Sequence, residues 1–181
     1  QNRGNRLSAK ELLDQGAMRI RSISDPAARA ALLDTMGEAY FNLGLFEKSE
    51  ELYREFIASN PDPPRLAHAL AIMALSDAQR GRHKEADATG ARAVEVAASL
   101  PPNQRALVLL QRCNQQHQST QFKAAIASCR EASAVAAKST LGPEDRALIA
   151  SSLGLSLLEA TEYKEGEQAF QEALRLTRSI P

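Results

Sequence analysis

Apolar residues recur along the chain at three- and four-residue intervals, as in Leu32, Met36, Ala39 and Leu43, and again in Leu52 and Phe56. Such spacing puts them on one face of a helix. Two kinds of break interrupt it. Short polar or glycine-bearing breaks fall at Leu43-Gly44-Leu45, Arg80-Gly81-Arg82, Gln118-Ser119-Thr120-Gln121 and Ala160-Thr161-Glu162, and proline breaks fall at Pro26, at Pro61, Pro63 and Pro64, at Pro101 and Pro102, and at Pro143. The pattern predicts nine helices, near residues 8–22, 26–43, 46–59, 63–80, 84–99, 103–118, 122–138, 143–160 and 163–178. Start signals agree with it. Ser8-Ala9-Lys10-Glu11 reads as a capping box, whose side chains accept orphan backbone N–H groups. Asp25-Pro26 and Gly142-Pro143-Glu144-Asp145 put proline at the first helical position, the second with acids in the first turn where the helix dipole favours them.

Composition strengthens the helical reading. The 181 residues include 32 Ala and 23 Leu against 17 Val, Ile and Thr together, a ratio that favours helix over sheet. Lys plus Arg equals Asp plus Glu at 22 each. Zero net charge argues against nucleic acid as a partner, because phosphate backbones reward a basic surplus. The longest unbroken apolar run, Ala69 to Leu75, is seven residues, far short of the roughly 20 that a membrane helix needs. Direct membrane insertion of this segment is therefore not expected. The opening Gln1-Asn2-Arg3-Gly4-Asn5 has neither Met nor an apolar signal core, and the chain reads as an excised or processed part of something longer.

A helix pair that recurs every 37 to 41 residues calls for a repeat architecture. Leu33, Met36-Gly37, Tyr40, Gly44, Phe46, Ser49, Tyr53 and Pro61 stand at the spacing of the tetratricopeptide repeat (TPR), which this block resembles. The next block keeps Leu70, Met73-Ala74, Gly81, Ala86 and Ala93; the third keeps Leu109, Phe122, Ala125 and Ala132; the fourth keeps Leu153-Gly154, Tyr163, Gly166, Phe170 and Ala173. Residues 1–181 thus resemble one TPR domain, with 8–22 as the second helix of a partial repeat and helix pairs at 26–59, 63–99, 103–138 and 143–178. The resemblance implies an all-α, right-handed TPR-type solenoid of about nine antiparallel helices. Leu141-Gly142-Pro143-Glu144 looks like the linker of long, kinesin-light-chain-type TPRs.

A narrower resemblance covers the first third. Ala9-Lys10-Glu11-Leu12-Leu13-Asp14-Gln15-Gly16-Ala17, Leu32-Leu33-Asp34-Thr35-Met36-Gly37 and Asn42-Leu43-Gly44-Leu45 resemble TPR segments of bacterial membrane-bound serine/threonine kinases, and similar segments occur in membrane-bound winged-helix regulators. That resemblance implies a periplasmic or extracytoplasmic setting; without it, a cytoplasmic one is expected.

Catalytic chemistry is not expected. His68, His83 and His117 have no His or Cys at helical ligand spacing, no glycine-rich phosphate loop is present, and Ser151-Ser152 has no nearby base in sequence. Neither a metal nor a cofactor is called for. Cys113 and Cys129 fall on the two helices of one hairpin, nearly equidistant from its break, and so at the same height. They fit two buried thiols packing as small apolar groups. They also fit an intra-repeat disulfide, which would speak for an oxidising compartment; helix axes 8–10 Å apart can nevertheless hold Cα atoms beyond the 7 Å that such a bond tolerates.

In TPR proteins particular first-helix positions face a concave groove. By that resemblance the groove holds Asp34, Glu38, Phe41 and Asn42; His68, Ala71, Leu75 and Gln79; Leu107, Leu110, Asn114 and His117; and Leu148, Ser151, Leu155 and Leu158. The family's clamp for chaperone C-terminal carboxylates uses Lys, Arg and Asn there, and no Lys or Arg occupies these positions. An acidic patch leading into an apolar, amide-bearing strip suits a protein or peptide ligand with apolar anchors and a basic end. Helix 84–99 reads as apolar nearly all round, and helix 163–178 as a cap with one apolar stripe. The unpaired helix 8–22, with Leu12, Leu13, Met18 and Ile20, offers apolar surface for self-association. The expected function is a non-catalytic binding module, set in the sensory or scaffolding part of a larger bacterial signalling protein. Alternatives are a regulatory arm that moves a kinase or DNA-binding domain, and a stand-alone adaptor.

Overall fold

The computed structural model describes residues 9–20 and 22–180. Nine helices and no strand occur among them: α1 (Ala9–Ile20), α2 (Pro26–Asn42), α3 (Phe46–Ala58), α4 (Pro63–Gln79), α5 (His83–Ala97), α6 (Pro102–Gln118), α7 (Phe122–Ala136), α8 (Pro143–Glu159) and α9 (Tyr163–Thr177). The expected helices are all present, with ends that shift by one to two residues at most termini. Ser8 of the proposed capping box lies outside the described residues.

Each first helix of a pair starts at a proline, Pro26, Pro63, Pro102 or Pro143, whose missing N–H is one that no helical partner would have satisfied. The side chain of Asp25 accepts from the N–H groups of Ala27 and Ala28, and that of Asp62 accepts from Arg65. Each first helix also ends alike. The N–H of Leu45, Arg82, Gln121 and Glu162 donates to the carbonyl five residues back, at 2.8–2.9 Å, on Tyr40, Asp77, Gln116 and Leu157. This closure needs a left-handed residue just past the helix. Gly44 and Gly81 take that conformation with φ 71° and 73°, while Thr120 and Thr161 take it with φ 58° and 64°. Two of the four turns therefore hold a β-branched residue where glycine is the unstrained choice.

The chain divides into two compact units, Gln1–Pro61 and Asp62–Pro181. In the first, α2 and α3 pair around Leu33, Tyr40, Tyr53 and Phe56, all at most 1% exposed. The Tyr53 ring lies on Gly37, where a Cβ would approach it to 3.0 Å, and the Ser49 hydroxyl donates to the Gly37 carbonyl at 2.8 Å. Helix α1 is held to this hairpin by Asp14, which accepts from the Tyr40 hydroxyl at 2.7 Å and pairs with Lys48. Ile20 is buried at 2% exposure whereas Met18 is 70% exposed. The apolar surface expected of this helix is thus partly spent inside the unit. The side chain of Leu12 lies outside the described ones.

In the second unit, α4–α5, α6–α7 and α8–α9 are hairpins packed in sequence, with α6 against α4 and α5 and α8 against α6 and α7. Ala86, Ala93 and Ala97 on α5, and Ala125, Ala132 and Ala136 on α7, are at most 2% exposed; their small size is what lets the helix axes approach. Leu109, Leu110 and Ile149 knit α6 to α8 in one cluster, each large side chain contributing about 1.5–3 kcal/mol by its burial. Helix α5 departs from its sequence reading. Ala88 and Ala91 are exposed; the Ala86-Gly90-Ala93-Ala97 stripe is buried, and Val94 beside it packs half-buried on the α6–α8 cluster.

Candidate peptide-binding face

First helices α4, α6 and α8 present the same register positions on consecutive, packed elements of the second unit. The structure sorts the expected groove residues by burial. Ala71 and Leu75 on α4 and Leu110 on α6 are buried at 4–5% exposure. Leu75 is therefore a core residue: as a site residue it is corrected, because its side chain is sealed within the unit and offers nothing to a ligand. His68, Leu107, Asn114 and Ser151 are half-buried, and Gln79 is exposed. Leu148 and Leu155, two turns apart on α8, are 57% and 48% exposed. Exposed apolar surface at these register positions thus gathers on the last of the three first helices.

His117 is engaged with the next hairpin. Its Nδ1 lies 3.2 Å from the Ser156 hydroxyl on α8, and its ring meets Phe122 edge-on at 5.5 Å between centroids. Ser156 itself is fully buried and donates to the Ser152 carbonyl at 3.0 Å. His83 makes a comparable contact, 3.1 Å from the Ser119 hydroxyl. These histidines join helices to one another, a role that lone-histidine spacing in sequence does not reveal.

In the first unit, Asp34 and Phe41 are half-buried and Glu38 and Asn42 exposed. The charges of Asp34 and Glu38 reach the phenol of Tyr53, which burial chiefly, and then these two carboxylates, push above its ordinary value. The Tyr53 hydroxyl is buried and makes no hydrogen bond.

Two further features were not legible in the sequence. Arg112 on α6 reaches back to α5, donating to the Asp87 carbonyl at 2.9 Å, the Asp87 carboxylate at 2.5 Å and the Gln115 amide oxygen at 2.6 Å. At the end of the second unit, Leu158, Tyr163, Phe170 and Leu174 line a hollow of about 370 Å³. Tyr163 is 63% and Leu174 52% exposed, so the expected single stripe of α9 splits into a buried half, Gly166 and Ala173, and an open half. Cys113 and Cys129 are joined in a disulfide, with 5.3 Å between their Cα atoms. Among the described residues no group of three or more His, Cys, Asp or Glu is placed to hold a metal ion, and no helix is long and apolar enough to cross a membrane.

Residues 30–63 match the tetratricopeptide repeat family model. Solved structures extend the likeness over nearly the whole chain. BtubC (BKLC) from P. vanneervenii superposes with a TM-score of 0.75 at 16% identity, covering 95% of this chain and 73% of that one. A putative kinesin light chain of Podosopora anserina with nearly identical TPR-like repeats gives 0.66 at 19% identity, covering 92% and 84%. MamA of AMB-1 gives 0.62 at 19% identity, covering 94% and 93%. The fold is of the tetratricopeptide type. No curated protein matches the chain by sequence. In TPR terms, Gly37, Ala74, Cys113 and Gly154 share the eighth repeat position, and Tyr53, Gly90, Cys129 and Phe170 the twenty-fourth.

Proposed function

We propose that this TPR-type chain is a non-catalytic module that binds a protein or peptide ligand, and that in the second unit the ligand's apolar anchors dock on Leu148 and Leu155. The observation that carries the reading is their exposure on α8, set beside the burial of Ala71, Leu75 and Leu110 at groove positions of the preceding first helices. Leu75, at the register position of Leu155 on α4, is consumed by the core, while Leu155 is left about half in solvent. Covering each such side chain is worth about 1 kcal/mol or more. Gln79 and Asn114, at groove positions on α4 and α6, supply amides able to fix a peptide backbone, as binding grooves do. Taken by itself, the first unit offers Asp34 and Glu38, which favour a basic ligand segment there.

The test is a peptide display selection against residues 1–181, followed by affinity measurement on the selected peptides. Enriched Leu, Ile or Phe anchors and a loss of at least tenfold in Leu148→Asp/Leu155→Asp, with an unchanged circular dichroism spectrum, support the reading. Unchanged affinity in that variant contradicts it.

The likeness of residues 9–45 to TPR segments of bacterial membrane-bound kinases favours one setting, the sensory or scaffolding part of a larger signalling protein. A kinase or DNA-binding domain in the flanking reading frame would make the module its regulatory arm, and a short frame would make it a stand-alone adaptor. Self-association through α1, where Met18 is exposed, is checked by sedimentation of the wild type against Met18→Asp.

A further inference from the structure

The four hairpins close the same pair of positions in different ways. In the first, the Tyr53 ring lies on Gly37; in the last, the Phe170 ring lies on Gly154, where a Cβ would come within 2.9 Å of it. In the second, Ala74 and Gly90 hold these positions, and the Arg112 guanidinium from the following helix fills the space over that glycine. In the third stand Cys113 and Cys129, 16 residues apart and bonded to each other. Both are 0% exposed. Ala125 and Leu153 pack around them, and the buried Ser156 hydroxyl is 3.9 Å from the Cys113 sulfur.

We propose that the Cys113–Cys129 disulfide is a permanent clasp that replaces the glycine–aromatic wedge of this hairpin, formed as the chain folds in an oxidising compartment, and that it is not a redox switch. A switch needs a sulfur that a thiolate can attack along the S–S axis. Here the protein covers both sulfurs, so reductant reaches the bond only when the hairpin opens. Formation is thiol–disulfide exchange with an oxidant of the disulfide class: two cysteine thiols lose two protons and two electrons, the bond closes, and the oxidant leaves as two thiols. Once α6 and α7 are packed, the same burial that protects the bond holds it closed. The inference stands independently of the ligand.

Three measurements on residues 1–181 test it. First, protein refolded in an oxidising glutathione buffer is denatured without reductant and its thiols counted. None is expected; two would overturn the proposal. Second, dithiothreitol is added to native protein. Reduction paced by unfolding is expected, and complete reduction within seconds without unfolding would overturn it. Third, reduction, or Cys113→Ser/Cys129→Ser, is expected to lower Tm by roughly 5–10 °C, and an unchanged Tm on reduction would overturn it. Cys113→Gly/Cys129→Phe rebuilds the wedge of the following repeat and is expected to regain much of that loss with no sensitivity to reductant.

Discussion

The guanidinium of Arg112 occupies the space above Gly90: a Cβ built on that glycine would stand 2.6 Å from Nη1 and 3.1 Å from the Gln115 amide oxygen. The glycine on α5 is what admits the ion pair and hydrogen bonds that tie α5 to α6. Gly90→Ala forces Arg112 from the Asp87 carbonyl and leaves the buried Gln115 with fewer partners. A loss of about 1–3 kcal/mol is expected in urea unfolding. Arg112→Ala in the Gly90→Ala background should add less than it costs alone, because the two act on one contact.

The wedge of the last hairpin makes a parallel prediction. The Phe170 ring leaves no room for a side chain on Gly154. Gly154→Ala should destabilise by about 1–3 kcal/mol, despite alanine's higher helix propensity. Gly154→Ala/Phe170→Leu should recover part of it. Thermal unfolding of the two variants checks this, and a neutral single variant would refute it.

Turn chemistry predicts a gain. Thr161 holds φ 64° with no glycine to relieve it, and a left-handed residue other than glycine costs roughly 1–2 kcal/mol. Thr161→Gly should raise stability by several tenths of a kcal/mol, the relief being offset by glycine's greater freedom in the unfolded chain. Ala160→Gly, in an ordinary conformation, should lower it.

Tyr53 predicts a pH response. Burial, then Asp34 and Glu38, raise its phenol above the ordinary tyrosine value. The neutral phenol is thus favoured in the folded state. Its contribution is fully present below the unfolded value and is lost as pH rises above it, because the unfolded chain then ionises first. Chemical denaturation from pH 8 to 11 should show stability falling above about pH 10, less steeply in Tyr53→Phe. At neutral pH that variant should be neutral or stabilised by about 1 kcal/mol, since the buried hydroxyl has no hydrogen bond to lose.

Helix order and pairing were legible because proline and short breaks punctuate a 3.6-residue apolar period, a local signal that packing did not override. The left-handed turn at Gly44 or Gly81 is written in its glycine, and the same turn at Thr120 or Thr161 is not. The site was less legible. Repeat positions name the face of a helix, but whether a leucine there is sealed or open depends on what the neighbouring helix carries. That is why Leu75 and Leu155 share a register and part in exposure. The cysteine pair shows the same limit: spacing puts Cys113 and Cys129 at one height, but only the close approach of α6 and α7 decides their separation.

The most direct test of the proposed face is methyl NMR of the leucines in residues 1–181, titrated with a peptide from the display selection. The account predicts shifts at Leu148 and Leu155 that saturate together, with Leu75 and Leu110 little changed. Saturable shifts confined to leucines elsewhere, with Leu148 and Leu155 unmoved, would contradict it.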